Sequence, residues 1–229
     1  MDTLSQTDAA VIDRLARERH SCRAFKDELV PQETILRILG TAQRSVSDCN
    51  IQPWRVTIVS GQALDRLRTE MYELASRDAA PVSDIPPIER YQGAYLDRRR
   101  ECGWSLYNAV GIERGDRVKS RQQAMENFRF FGAPHVAIIT THASLGPRGI
   151  LDCGGYITLF MLAAHSLGVA SVPQAAIAHR ADVLRKHLQL PPEDHIVCGI
   201  SFGIADETHA ANSFRTSRVP VSEVVTFRE

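Results

Sequence analysis

The chain has 229 residues, 44% hydrophobic and 24% charged, which fits a soluble globular protein with room for one substantial core. Its 27 Lys and Arg balance 27 Asp and Glu, so no basic excess remains for general nucleic-acid binding, which rests on displacing counterions. The five cysteines (Cys22, Cys49, Cys102, Cys153, Cys198) form no C-x-x-C pair, and the eight histidines no H-E-x-x-H spacing. This argues against a disulfide framework or a metal site, and for reduced thiols in a cytoplasmic protein.

The polar start Met1-Asp2-Thr3-Leu4-Ser5 lacks the basic-then-apolar pattern of a targeting segment. Ala9, Val11, Ile12, Leu15 and Ala16 recur at helical spacing and predict an amphipathic helix ending near Glu18. Arg19-His20-Ser21-Cys22-Arg23-Ala24-Phe25 follows, the start of an extended piece that runs to Pro31. Alternate side chains of an extended backbone share a side, so Arg19, Ser21 and Arg23 place two guanidiniums around a hydroxyl. That set matches a phosphate monoester, because arginine presents a fixed fork of charge-assisted donors. A solvated basic loop is the other reading of the same residues. Pro31 then opens a second helix, with Ile35, Leu36, Ile38, Leu39 and Ala42 on its apolar face.

Small and polar residues from Ser45 to Gln52 lead into a strand, Arg55 to Val59. Asn50 and Gln52 fall on one side of the extended chain; their amides suit the polar edge of a planar ring, or local backbone. Gly61 to Arg77 reads as a helix burying Leu64, Leu67, Met71 and Leu74, and Asp78 to Pro87 as a loop. Residues 88–131 are mostly helical in pattern but poorly periodic. They form an excursion whose aromatics (Tyr91, Tyr95, Trp104, Tyr107, Phe128, Phe130, Phe131) are core or pocket lining.

After Gly132-Ala133-Pro134, the strand His135 to Thr140 lacks alternation, so both its faces should be covered. Gly149 to Leu167 is apolar nearly all round, as in a central helix; Asp152, glycines and His165 interrupt it too often for a membrane span. Val169 to Ala176 is expected to be extended, Ala181 to Leu188 helical, and His195 to Phe202 a further strand. The tail carries Asn212, Arg215 and Arg218 and ends in an apolar piece, Val221 to Phe227, that needs somewhere to be buried. No Gly-x-Gly-x-x-Gly follows a strand, and there is no Walker loop or Gly-x-Ser-x-Gly elbow.

Four polar clusters, Arg19/Ser21/Arg23, Ser47/Asn50/Gln52, Pro173/Gln174 and Arg215/Arg218, stand in an order that resembles the nitroreductase family of flavin enzymes. The pieces that carry the resemblance are RHSCRAF, SVSDCNIQPW, FRFFGAP, LAAHSLGVASVPQ and NSFRTSRVPVSEVV, spanning about Val11 to Phe227. The resemblance implies an α+β, three-layer α/β/α fold with a mixed central sheet flanked by helices. It implies a single domain over residues 1–229, with a helical excursion at about 88–131 and a tail at about 212–229 that exchanges between the subunits of an interlocked homodimer. It implies non-covalent FMN, with Arg19, His20, Ser21 and Arg23 at the phosphate and ribityl end and Arg215 and Arg218 closing on the phosphate. Ser47, Asn50 and Gln52 would come from the second subunit. Pro173, Gln174 and Ala175 would lie at the isoalloxazine ring, and Arg129 at its N1/O2 edge.

The implied activity is ping-pong: hydride passes from NAD(P)H to flavin N5 and on to a nitroaromatic compound, giving nitroso and then hydroxylamine, with no side chain as catalytic acid or base. No metal, nucleic-acid or membrane partner is implied. Enone or quinone reduction, dehalogenation or dehydrogenation on the same fold, or a non-enzymatic flavin-binding role, are the alternatives. Two departures stand out: Val46-Ser47-Asp48-Cys49-Asn50 replaces the Pro-Ser-Gly-Gly-Asn of many relatives, and Gln174-Ala175-Ala176 stands where some branches carry Glu-Gly.

Overall fold

The structure, a computed structural model, describes residues 3–229; Met1 and Asp2, which open the polar N-terminal stretch, lie outside the described residues. Its helices are α1 (Thr3–Glu18), α2 (Gln32–Ala42), α3 (Gly61–Ser76), α4 (Gly93–Ala109), α5 (Arg117–Met125), α6 (Gly146–Ser166), α7 (Ala175–Ala178) and α8 (Ala181–Leu188). Its strands are β1 (Trp54–Ser60), β2 (His135–His142), β3 (Ala170–Gln174) and β4 (Asp194–Gly203), in the sheet order β1-β2-β4-β3.

All neighbouring strands pair antiparallel, which corrects the expectation of a mixed sheet. Strands β2 and β3 do run the same way, because α6 carries the chain back between them. However, β4 fills the slot between the two and opposes both. Among the described residues, parallel pairing is confined to isolated bridges such as Ser21–Ser171.

The expected cover on both faces of β2 is present. Ala137 and Ile139 pack with Ile38 of α2 and Tyr156 and Phe160 of α6. Val136 and Ile138, pointing the opposite way, pack with Leu64, Leu67 and Met71 of α3 and Leu184 of α8. The period of two breaks once in β4. The register slips where Ile139 opposes Cys198 but Thr140 opposes Ile196, leaving Val197 as the extra residue of a bulge. Ile196 therefore joins the α3/α8 face, whereas Cys198, Ile200 and Phe202 stay on the α6 face. Gly199 is small for a reason: a Cβ there would lie 2.7 Å from Ile177 Cδ1, so α7 could not seat on β4.

Three further differences have local causes. Helix α6 begins at Gly146 rather than Gly149, because Pro147 suits the first turn, where its missing N–H is not needed. Strand β3 stops at Gln174, and the alanine-rich run after it forms the turn of α7 instead of continuing extended. The excursion resolves into α4, α5 and a 3-10 stretch, Glu126–Gly132, in which Phe130 and Phe131 both adopt left-handed backbone (φ 56° and 53°) with their rings buried.

Some apolar surface stays uncovered within the chain: Val11 and Ile12 on α1, Leu151 on α6, and Val221, Val224 and Phe227 in the tail are all exposed. Among the described residues no helix is long and apolar enough to cross a membrane.

Candidate functional site

Strand β3 is an edge of the sheet, and the Arg19–Phe25 stretch runs beside it. Cys22 N–H donates to Ser171 O (3.1 Å), Lys26 N–H to Ile204 O (2.9 Å), and Asp206 N–H returns to Ala24 O (3.1 Å). This backbone pairing covers an edge that would otherwise be open, and it fixes which way the side chains face. Cys22 and Ala24 are buried, while Arg19, Ser21 and Arg23 turn outward together, as the extended reading required.

The tail closes over them. Arg19, His20, Ser21 and Arg23 share a cleft of about 480 Å³ with Phe214, Arg215, Thr216 and Arg218. Among the described residues no carboxylate lines it. Arg17, at its rim, is neutralised by Asp13 (2.8 Å). Arg19, Arg23, Arg215 and Arg218 have no carboxylate within ion-pairing distance among the described residues. Arg23 Nη1 donates to Ser21 O (3.3 Å), and its guanidinium lies 5.4 Å from the centre of the Phe214 ring. Arg215 and Arg218 donate through Nη1 to nearby oxygens of the tail, at 2.8 Å to Asn212 O and 2.9 Å to Thr216 Oγ1.

The electrostatic consequence is a strained cationic group. Burial, and then the charge of Arg218, push the Arg19 guanidinium below its ordinary value, and burial does the same to Arg23. Burial also lowers the His20 imidazole, helped by Arg215, His165 and Arg19 and opposed by its hydrogen bond to Glu18 O (3.1 Å). A dianion entering this cleft would relieve all three at once.

A second cleft of about 460 Å³ adjoins the first and shares Arg23 and Cys102 with it. Pro173 lines it together with Trp104 and Tyr107 of α4. Ala175, at the start of α7, is exposed nearby. The Gln174 side chain lines neither cleft: it is buried, its Oε1 accepts from Ser201 Oγ, and its Nε2 donates to Asn127 O (3.0 Å). It anchors the β3–α7 corner rather than facing outward.

The remaining sequence candidates are set apart. Arg129 lies 4.2 Å from the centre of the Tyr72 ring and 3.4 Å from Glu126, on the α3 side. Ser47, Asn50 and Gln52 form a knot of their own: Gln52 N–H donates to Ser47 Oγ (3.0 Å) and Gln52 Nε2 to Asn50 O (3.1 Å). Cys49, Asn50 and Gln52 all have positive φ there. Asp48 N–H ties the knot to Asp152 of α6 (3.1 Å), away from the arginine cleft of the same chain.

Four contributors were not legible beforehand: Cys102, Asn127, Asn212 and Phe214. Asn212 alone gave a signal, an amide among the tail arginines. It is buried, accepts Arg23 N–H (2.7 Å), and donates to Ala24 O (2.9 Å) and Asp206 O (2.8 Å).

A sheet lies between two helical layers, and an unneutralised arginine cleft along its β3 edge, a donor set that matches the chemistry of a phosphate monoester, adjoins an open, aromatic-walled pocket. The sequence signature described as the Nitroreductase family matches residues 16–204. The chain is 37% identical over 220 residues to nitroreductase NfnB of Mycolicibacterium smegmatis, covering 96% of this chain and 93% of that protein. It is 32% identical to a 4-nitrobenzoate reductase of a Nocardioides species, covering 94% and 89%. The crystal structure of the FMN-dependent NfnB from Mycobacterium smegmatis in complex with NADPH superposes with a TM-score of 0.92 at 36% identity, covering 96% of this chain and 99% of that one. The chain belongs to the nitroreductase family.

Proposed function

We propose that this chain is an FMN-dependent oxidoreductase that takes hydride from NAD(P)H and reduces nitroaromatic compounds, donor and acceptor using one cleft in turn. The observation that carries the reading is the convergence of Arg19, Arg23, Arg215 and Arg218, with Ser21, in a cleft lined by no carboxylate. That donor set fits a phosphate monoester, so FMN passes the chemical test these residues set. Arg19, Ser21, Arg23, Arg215 and Arg218 would hold its phosphate and ribityl end, with His20 beside them; Pro173 and Ala175 would bound its ring. When bound, FMN supplies the two-electron carrier that no side chain provides.

The chain's own contribution is binding and position. Asn212 fastens the arginine loop to the tail. Gln174, locked between Ser201 and Asn127, holds the corner that keeps Pro173 and Ala175 outward. Solvent can supply protons through the open second cleft.

The working unit in this reading is a single domain over residues 1–229, assembled as a cytoplasmic homodimer, with the apolar end of the 212–229 tail reaching across. The uncovered apolar residues on α1, α6 and the tail support it. So does the Ser47/Asn50/Gln52 knot, which is tied to α6 at the rim of its exposed face, where a second copy would receive it. Arg129, engaged with Tyr72 and Glu126, stands apart from the arginine cleft of its own chain.

An anaerobic absorbance spectrum tests the reading. A flavin spectrum that bleaches with NADPH or NADH and recovers on adding nitrobenzene supports it. A colourless protein that takes up no FMN on reconstitution would overturn it; bleaching without recovery would move the acceptor to another class.

A further inference from the structure

We propose that the second cleft selects acceptors whose aromatic ring carries an anionic substituent, a carboxylate above all. The inference rests on the reading of the chain as a nitroaromatic reductase and adds its substrate class.

The α4 wall supplies the argument. Arg98, Arg99 and Arg100 are consecutive, flanked in sequence by Asp97 and Glu101, and such a run is ordinarily a self-neutralised surface face. Here it is divided. Arg98 pairs with Glu223 (3.7 Å), and Glu101 accepts from Ser217 Oγ (2.7 Å), so both are drawn toward the tail. Arg99 and Arg100 are left to the second cleft, where Arg23 forms part of the same lining and no carboxylate does.

Arg99 leans on the Tyr91 ring at 5.2 Å, and Arg100 has no hydrogen-bond or ion-pair partner among the described residues. Trp104 and Tyr107, whose rings meet edge to face with centres 5.6 Å apart, line the same cleft as these charges and Pro173. The cleft thus offers aromatic surface for a ring and guanidinium forks for an anion attached to it. A neutral nitroarene uses only the first. A ring carboxylate uses both, meeting the exposed Arg99 and Arg100 guanidiniums at the solvent side of the cleft.

The test compares 4-nitrobenzoate with 4-nitrobenzamide, which has the same shape without the charge. The ratio of their kcat/KM values should be about tenfold or more in favour of the acid, the effect of one charged hydrogen bond. It should fall toward unity in the Arg99→Gln/Arg100→Gln double variant and with added salt, while Arg98→Gln, the same change one position away, keeps it. A binding readout needs no turnover. Trp104 is half-buried in the cleft wall and Trp54 is buried in the core, so benzoate, and not benzamide, should quench fluorescence, and the double variant should abolish the quench.

Equal kcat/KM values in the unmodified protein, or a preference that survives the double variant, would overturn the inference. So would a double variant that raises KM for NADPH and not NADH while leaving the ratio intact, since the arginines would then serve the donor's extra phosphate. If flavin is bound but neither compound is reduced, the functional reading fails instead, and the benzoate titration still decides what the cleft prefers.

Discussion

Asn212 Oδ1 accepts the backbone N–H of Arg23 at 2.7 Å, and through this contact the C-terminal tail sets the direction of the N-terminal arginine loop. Its Nδ2 donates to Ala24 O and Asp206 O, so one buried amide satisfies three backbone groups. Asn212→Ala should therefore cost about 1–3 kcal/mol for the backbone groups it strands, and should also weaken FMN binding by misaligning Arg23. Asn212→Asp keeps the acceptor and loses the donors, so it should retain more FMN affinity than alanine does. Thermal melts with flavin titrations check this; two variants alike in both readouts would reduce Asn212 to a packing residue.

Arg23 offers a cleaner separation of binding from folding. Its guanidinium is half-buried without a carboxylate, which costs free energy in the empty protein and is recovered when an anion arrives. Arg23→Ala should raise the FMN dissociation constant by about 10- to 100-fold, given about 1.5–3 kcal/mol for a charged hydrogen bond. The melting temperature of the flavin-free protein should hold or rise. Unchanged flavin affinity would remove Arg23 from the phosphate cleft.

The contrast between Arg23 and Gln174 shows what was legible in the sequence. Arg23 was readable because an extended loop beside a sheet edge obeys simple alternation, and the same rule placed Arg19 and Ser21. Gln174 was placed with Pro173 by the family resemblance, yet neighbours in a strand face opposite ways; Pro173 is exposed and the Gln174 side chain is buried. Helix α3, with its clear periodicity, and β2, an unbroken apolar run, appeared where expected. The bulge at Val197 and the left-handed pair Phe130–Phe131 did not announce themselves, because each is imposed by tertiary packing on residues with no local preference for it. Arg129 sits just before that pair, so its direction toward Tyr72 was not readable either.

His135 should give the protein an acid limb. Its Nε2 accepts Val30 N–H at 3.0 Å and its ring stacks on Phe202, so the neutral form is built into the core and burial lowers its pKa. The unfolded chain keeps the ordinary value of about 6.5. Between the two values the unfolded state binds the proton and the folded state does not, so stability falls as pH drops from about 6.5 through the depressed folded value. His135→Phe keeps the stack, strands Val30 N–H at a cost of about 1–3 kcal/mol, and should flatten this limb. Denaturant melts between pH 7.5 and 5 measure it, in about half-unit steps suited to a single titration; a slope that persists in the phenylalanine variant would assign the limb to another group.

Gly154 tests the assembly. It lies on the exposed face of α6, one turn from the exposed Leu151, and a Cβ there would meet nothing within 4 Å. The protomer thus has no steric objection to a larger side chain, and replacing a mid-helix glycine improves helix propensity by up to about 1 kcal/mol. A second copy packed against this face would object, because bare backbone is what permits close helix approach. Gly154→Leu should therefore give a folded monomer that loses FMN, since the partner's copy of the Ser47–Gln52 knot is no longer brought to the site. Gly154→Ala should remain dimeric and yellow. Sedimentation velocity with a flavin spectrum on the same samples distinguishes the cases, and a Gly154→Leu protein that stays dimeric with full flavin would move the interface off α6.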